Sequence, residues 1–231
     1  MIFTASPGGG AGSTLTRVNP DGSIDAGFSA STAGFVSCIA VLPDGKVLIG
    51  GNFTSVNGTA RNGGIARLNA DGTLDPGFNA GSGADNSITS LLVQADGKIV
   101  VAGYFTTFNN TAAGHFARLE ANGTLDGSFN IGGAGTDIVV FSLAQQADGK
   151  LLLGGWFSTV NGAAANRIAR LETNGTLDTG FSAGVDGGAG AIVHCVAVQP
   201  DGKVVIGGNF ASVSAAGGWE ASFHRPIQRG E

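Results

Sequence analysis

Residues 94–105 read QADGKIVVAGYF: an Asp-Gly turn separates two apolar runs, and a glycine and an aromatic residue end the second run. Two apolar runs joined by Asp-Gly predict a β-hairpin, because glycine adopts the positive φ that such turns require. The same arrangement recurs with spacings of 52, 52 and 53 residues, so the chain contains an internal repeat. The four Asp-Gly-Lys triplets begin at Asp44, Asp96, Asp148 and Asp201.

A second marker, Asp/Asn-Gly-Ser/Thr-Ile/Leu-Asp, alternates with the first along the chain. In the first full copy, VSCIAVL and KVLIGGNF form one predicted hairpin, and IARLN and TLDPGF form another after the polar stretch TSVNGTARNGG. Each repeat is therefore predicted to supply four short strands, and frequent glycines leave no helical period. The second marker begins at Asp21, Asp71, Asn122 and Asn174.

A lone four-stranded sheet is too thin to be stable, since ordering its residues costs roughly 50–100 kcal/mol of backbone entropy. Stacking neighbouring sheets covers both faces, and four-stranded units of about 40–50 residues are typical of β-propeller blades. We predict an all-β propeller of antiparallel four-stranded blades with repeats spanning 14–213. Its parts are a degenerate lead-in (1–13), an N-terminal half unit (14–28), a first, second and third repeat (36–78, 88–129 and 141–181), a C-terminal half unit (192–213) and an irregular tail (214–231).

The two half units leave two predictions for the number of blades. If they pair with each other, they complete a fourth blade and close the ring. If they do not, the chain is a fragment of a larger propeller.

Repeated aromatic and charged residues have predicted structural roles. Eight of the 14 phenylalanines close the predicted hairpins and are expected in the core: Phe53, Phe105, Phe157 and Phe210 in the first hairpin, and Phe28, Phe78, Phe129 and Phe181 in the second. Four arginines each precede an aspartate by eight residues across a turn, which predicts a structural ion pair in every unit. These pairs are Arg17 with Asp25, Arg67 with Asp75, Arg118 with Asp126 and Arg170 with Asp178.

The repeated strings PDGKVLIGGNF and ARLNADGTLDPGF resemble the delta-60 repeat, a bacterial β-propeller repeat whose members are mostly uncharacterised. Glycine doublets such as Gly50-Gly51 are also similar to those of kelch repeats, although Ala102 interrupts the pattern and the kelch aromatic pair is missing. The resemblance implies a propeller within a larger secreted or surface-attached protein, and it supplies no catalytic residues.

Composition disfavours several classes of partner. The net charge is -5 and the basic residues are scattered, so the basic patch of a nucleic-acid site is missing. No apolar run reaches the length of about 20 residues that spans a membrane. The start of the chain, MIFTASPGGGAG, lacks the pattern of a signal peptide, so a complete chain is expected inside the cell, whereas the start of a fragment carries no information on location.

Metal, cofactor and catalytic motifs are weak, and we predict none of the three. Cys38 and Cys195 are too few for a disulfide framework and stand where the other repeats have serine, which predicts a small, buried, inert residue. The aspartate turns look like parts of calcium loops, but an arginine occupies the first ligand position. The histidines are not repeated and form no zinc motif: His115, His194 and His224.

One variable repeat position is the candidate binding site. The residue before each first-hairpin phenylalanine changes between asparagine, tyrosine and tryptophan, and such residues suit sugars or peptides. The leading hypothesis is a non-enzymatic scaffold for a protein or glycan partner. The alternatives are a carbohydrate hydrolase or lyase with a site at the channel mouth, and a purely structural spacer. The candidate residues are Asn52, Tyr104, Trp156 and Asn209.

Overall fold

The computed structural model describes residues 2–7, 12–61, 63–130 and 132–215, so His224 and all but the first two residues of the predicted tail lie outside the described residues. Within these ranges the chain is all-β with antiparallel pairing, as predicted, and its only helical segment is a 3-10 turn at Gly188–Gly190. No helix there is long enough to cross a membrane.

The strands are β1 (Ile2–Pro7), β2 (Gly12–Val18), β3 (Ile24–Val41), β4 (Val47–Val56), β5 (Thr59–Ala60), β6 (Ile65–Leu68), β7 (Ile88–Val93), β8 (Ile99–Gly103), β9 (Thr107–Phe108), β10 (Thr111–Ala112), β11 (Phe116–Leu119), β12 (Val140–Gln145), β13 (Leu151–Gly155), β14 (Thr159–Val160), β15 (Ala163–Ala164), β16 (Ile168–Leu171), β17 (Ala183–Asp186), β18 (Ile192–Val198), β19 (Val204–Asn209) and β20 (Ser212–Ala215).

Each complete repeat forms a sheet with its second strand in the middle. The second repeat has the order β7-β8-β11, the third has β12-β13-β16, and in the first β4 lies between β3 and β6. The predicted fourth strand is reduced to one bridge per repeat, because the aspartate that follows the bridge turns the chain: in the second repeat the carboxylate of Asp126 accepts the N–H of Ser128. The bridges are Leu68–Leu74, Leu119–Leu125 and Leu171–Leu177.

The polar stretch between the second and third strands forms a small hairpin that was predicted only as a connection. In the second repeat, β9 pairs with β10. Asn109 turns this hairpin with a φ of 51°, and its side-chain oxygen accepts the N–H of Ser82. In the first repeat, Asn57 has a φ of 49° and accepts the N–H of Ser31 in the same way. An asparagine whose backbone adopts a positive φ and whose side chain accepts a backbone N–H stabilises such a hairpin. The hairpin is too short to give a recognisable hydropathy pattern.

The sheets stack in chain order, so that each repeat covers a face of the one before it. The first strands β3, β7, β12 and β18 contact one another in succession. One apolar cluster joins Leu48 and Ile65 of the first repeat to Ile88 of the second, and the next joins Val100 of the second repeat to Val140 of the third. Six of the eight repeated phenylalanines are buried as expected, whereas Phe181 and Phe210 near the C-terminal end are half-buried.

The glycine doublets at the end of each second strand have two steric causes. A side chain on the second glycine, such as Gly103, would clash with the backbone oxygen of the facing residue, Ser87. The first glycine faces the following repeat: a Cβ on Gly154 would lie 2.6 Å from side-chain atoms of Val193 and Val196. The sequence of the next repeat therefore decides whether the first position can carry a methyl group, as Ala102 does.

The two half units do not pair with each other in the described part of the chain. At the N-terminal end, β2 lies between β1 and β3, and at the C-terminal end β19 pairs only with β18. The described residues therefore do not show the pairing that would complete a fourth blade, and the number of blades stays a prediction. Strand β3 also runs without a break from the N-terminal half unit into the first repeat.

Candidate functional site

The four candidate binding residues lie at one end of the sheets, where each second strand ends. Tyr104 and Trp156 are 47% and 40% exposed, and both asparagines are exposed as well. Backbone pairing holds each position beside the start of the first strand, since the N–H of Tyr104 donates to the oxygen of Ser87 and that of Trp156 to Val139. The residues at this repeated position are Asn52, Tyr104, Trp156 and Asn209.

Tyr104 contacts a strip of rings that sequence reasoning did not select. Its ring centroid lies 5.9 Å from that of Phe141 in an edge-to-face arrangement, and Phe141 lies 5.6 Å from the ring of His194. We name Tyr104, Phe141 and His194 the aromatic row. Its members come from the second repeat, the third repeat and the C-terminal half unit, so the row crosses three neighbouring sheets.

Phe141 and His194 occupy a β-bulge that recurs in every first strand. The pairing register shifts between Val140 and Ser142 and again between Val193 and Cys195, which leaves the middle residue outside the ladder. The variation of residue type at this position is the sequence signal that could have identified the row. The four bulged residues are Ser37, Thr89, Phe141 and His194.

Trp156 and Asn209 both bind the 3-10 turn that precedes β18. The indole N–H of Trp156 donates to the oxygen of Ala189 at 3.0 Å, and the Asn209 amide donates to Gly190 at 3.3 Å. These two side chains therefore hold a loop in place. Asn52 stands apart from them and pairs with Phe35, whose side chain is 57% exposed. The four residues share one end of the sheets but form no single cluster.

His115 is a histidine close to acidic residues. Burial lowers its pKa below the usual 6.5, against the opposing charges of Asp137 and Asp85, and its ring nitrogen is 3.2 Å from the oxygen of Gly103. The two carboxylates already bind the following loops, as when Asp137 accepts the N–H of Ser158 at 2.8 Å. The group contains a neutral histidine and two aspartates that stabilise loops.

The predicted arginine–aspartate pairs are all in contact. Each arginine Nε donates to a carboxylate oxygen of its aspartate, and the arginines are 11–17% exposed. Each guanidinium also lies over a repeated phenylalanine, as when the Cζ of Arg118 is 4.4 Å from the ring centroid of Phe129. The distances are 2.7 Å for Arg17–Asp25, 2.6 Å for Arg67–Asp75, 2.8 Å for Arg118–Asp126 and 2.8 Å for Arg170–Asp178.

The turn lysines add a second cation to three of these aspartates. Lys46 lies 2.8 Å from Asp75, and Lys98 lies 2.7 Å from Asp126. The hydrogen bond from Lys46 is the main cause that lowers the pKa of Asp75 to about 2. Burial alone would raise the pKa of Asp126, but bonds from Lys98, Ser128 and Arg118 outweigh it and hold that pKa below its usual range. These carboxylates stay ionised and join the strands of one sheet.

Each complete repeat also has a groove beside its third strand, away from the aromatic row. The grooves measure about 410, 620 and 370 Å³ in the first, third and second repeats. In the second repeat Phe116 and Phe129 line the groove, and Ile65 with Phe78 and Ile168 with Phe181 line the other two. Because the lining positions recur, the groove is a consequence of how every repeat packs.

Each repeat forms one antiparallel sheet, and the sheets stack in chain order, as the blades of a β-propeller do. The model of one family matches residues 2–28, 42–78, 94–129, 146–181 and 199–221, which together exceed half of the chain. The chain belongs to this family, which is described as a domain of unknown function (DUF5122) beta-propeller. No curated protein matches the chain.

Solved structures that resemble the chain do so at low identity. The extracellular domain of BT4673 from B. thetaiotaomicron, described as a one-component system, gives a TM-score of 0.47 at 11% identity over 85% of this chain and 25% of that chain. The WD40 beta propeller domain of Doa1 gives 0.32 at 12% identity over 91% of this chain and 87% of that one. The chain thus spans about a quarter of the BT4673 domain.

Proposed function

We propose that the chain is a non-enzymatic β-propeller scaffold that binds a protein or glycan partner at the end of the sheets that carries the aromatic row. The proposal includes the delta-60 type of repeat, with kelch as the weaker resemblance. It also places the chain in a secreted or cell-surface bacterial protein. The observation that supports it best is the contact of Tyr104 with Phe141 and of Phe141 with His194.

The contacts of the other repeated residues support a division of roles. The arginine–aspartate pairs, the turn lysines and most of the repeated phenylalanines are engaged inside or between the sheets. The aromatic row differs because its residue types do not repeat and its outer members are exposed. Aromatic rings with polar edges suit the flat face of a sugar or a peptide backbone.

Screening the chain against glycan and peptide arrays tests this proposal, followed by titration of any ligand with Tyr104→Ala and Phe141→Ala. Loss of one ring is expected to weaken binding about tenfold, the effect of about 1.4 kcal/mol. Val41→Ala is the matched control. Val41 is 50% exposed, but it borders the Asp-Gly-Lys turn and therefore lies at the opposite end of the sheet from the aromatic row. Unchanged affinity in both ring variants would contradict the proposal, and binding of no ligand at all would favour the spacer.

A further inference from the structure

Strand β19 has an open edge in the described part of the chain. In the three complete repeats the second strand lies between two partners, whereas β19 pairs only with β18. In the second repeat the third strand occupies the equivalent edge. Just before that strand, the carbonyl oxygen of His115 accepts the N–H of Gly103. Val204, Ile206 and Gly208 direct their backbone groups to that edge. An unpaired edge of this kind is a template for another strand.

One face of the same hairpin is uncovered as well. Val205 is 41% exposed, whereas its equivalents Leu48, Val100 and Leu152 are at most 1% exposed because the following repeat covers them. Cys195 is also exposed, contrary to the sequence prediction of a buried thiol. Its equivalent Ser142 accepts the N–H of Val196 in the following unit. Edge and face together match the surface on which a further blade packs.

Strand β2 has the complementary edge. It occupies the position of a third strand in its sheet, and its partner β1 occupies the position of a second strand without having the sequence of one. Phe3 of β1 pairs with Arg17 in the register that Leu48 uses with Arg67. The β1 sequence IFTASP has little in common with VLIGGN in β4, whereas residues 204–210, VVIGGNF, differ from residues 47–53, VLIGGNF, at a single position. By sequence, β19 is the better second strand for β2.

The charges at the two ends are also complementary. Asp75, Asp126 and Asp178 each bind an arginine and a turn lysine and are at most 9% exposed. Asp25 contacts Arg17 and is 25% exposed. In the other repeats a lysine directly before the second strand reaches the aspartate, and β1, which takes the place of that strand here, does not bring such a lysine. Lys203 stands directly before β19, at the repeat position of those turn lysines, and its Nζ lies 3.6 Å from the carboxylate of Asp201, which is exposed in the same turn.

We infer that β19 of one molecule adds to β2 of a second copy of this chain and displaces β1, with Lys203 then pairing with Asp25 of that copy. We assign this contact to a second copy because, among the described residues of one chain, β2 pairs with β1 and β3, and β19 pairs with β18. The contact joins two different surfaces, so it continues head to tail into rings or open chains rather than stopping at a symmetric dimer.

Sedimentation velocity of the full chain from low micromolar to near-millimolar concentration tests the inference. The wild type is expected to form species larger than dimers, and Ile206→Pro is expected to be monomeric because it removes an N–H at the open edge and leaves the pairing with β18 intact. Lys203→Glu is the second variant, since it repels Asp25 without touching the backbone. Arg61→Glu is the control for the same change of charge.

Removal of residues 1–11 adds a change in the opposite direction. Without β1 the edge of β2 is free, so the apparent dissociation constant is expected to fall by about tenfold or more, and Ile206→Pro in the same molecule must reverse the effect. Association that neither Ile206→Pro nor Lys203→Glu weakens would overturn the inference. So would a chain that stays monomeric at every concentration with and without residues 1–11.

Discussion

Arg118 of the second repeat donates its Nη1–H to the carbonyl oxygen of Thr173 in the third repeat, 2.8 Å away. Arg17 and Arg67 reach forward in the same way, to Ala70 and Ala121. Each of these arginines also binds the aspartate of its own unit, so one side chain fastens a hairpin and joins it to the next sheet. The ion pair is therefore part of the packing between repeats as well as within them.

Asp126→Asn tests how much this contact stabilises the chain. The substitution leaves the guanidinium of Arg118 buried without its anion, which is expected to lower the free energy of unfolding by about 3 kcal/mol. Urea denaturation at neutral pH measures the change. Asp148→Asn is the control, because Asp148 lies in an exposed turn and the expected change is within about 0.5 kcal/mol. Equal effects of the two substitutions would contradict the role of the pair.

Acid should weaken the fold through the same aspartates. The pKa values of Asp75 and Asp178 are lowered from 3.8 to about 2, chiefly by hydrogen bonds from Lys46 and Lys150. Since the unfolded state binds these protons first, their contribution is complete above about pH 4 and is lost as the pH falls toward about 2. Urea midpoints across this range measure it. A variant with asparagine at both positions should show a shallower fall, and an equally steep one would refute this cause.

Two phenylalanines at the same repeat position should differ in their effect on stability. Phe105 is fully buried between two repeats, and Phe210 is half-buried. We expect Phe105→Ala to lower the free energy of unfolding by about 3–5 kcal/mol and Phe210→Ala by less than about 2 kcal/mol. Thermal and urea unfolding of both variants provide the comparison. Similar losses would show that burial of the ring by its own complete repeat and by the preceding one does not set the contribution.

A methyl group added to the first glycine of a doublet tests the fit between sheets. Gly154→Ala places a Cβ 2.6 Å from Val193 and Val196 of the following unit and is expected to destabilise the chain by about 1–3 kcal/mol. In Gly207→Ala the Cβ meets only the sulfur of Cys195, which is exposed and can move. Unfolding free energies of the two variants should differ accordingly. Equal losses would mean that the contact between repeats has no effect.

The sequence predicted the strands that carry a strong apolar pattern and missed those set by side-chain hydrogen bonds. The strands β7, β8 and β11 lie within the predicted runs, because apolar residues and Asp-Gly turns mark them. The fourth strand is shorter than predicted because Asp126 turns the chain after a single bridge. The hairpin β9–β10 was missed, since two residues per strand leave no readable period.

The candidate site was only partly predictable for a related reason. Tyr104 could be selected because the residue type at its repeat position varies between the repeats. Phe141 and His194 become its neighbours only through a bulge and the stacking of three sheets. Neither feature appears in a linear pattern. Trp156 matched the same rule and yet binds a turn, because the 3-10 turn before β18 brings the carbonyl oxygen of Ala189 to its indole.

Amide hydrogen exchange of two nearly identical strands tests whether contacts between repeats stabilise this fold. Residues 47–53 and 204–210 differ only at Leu48 and Val205, but β4 lies between two strands and under the second repeat, whereas β19 has one partner in the described chain. In dilute solution, where association between molecules is negligible, the amides of 47–53 should exchange orders of magnitude more slowly than those of 204–210. Equal protection of the two segments would contradict the claim that stacking and pairing between repeats, rather than local sequence, stabilise this fold.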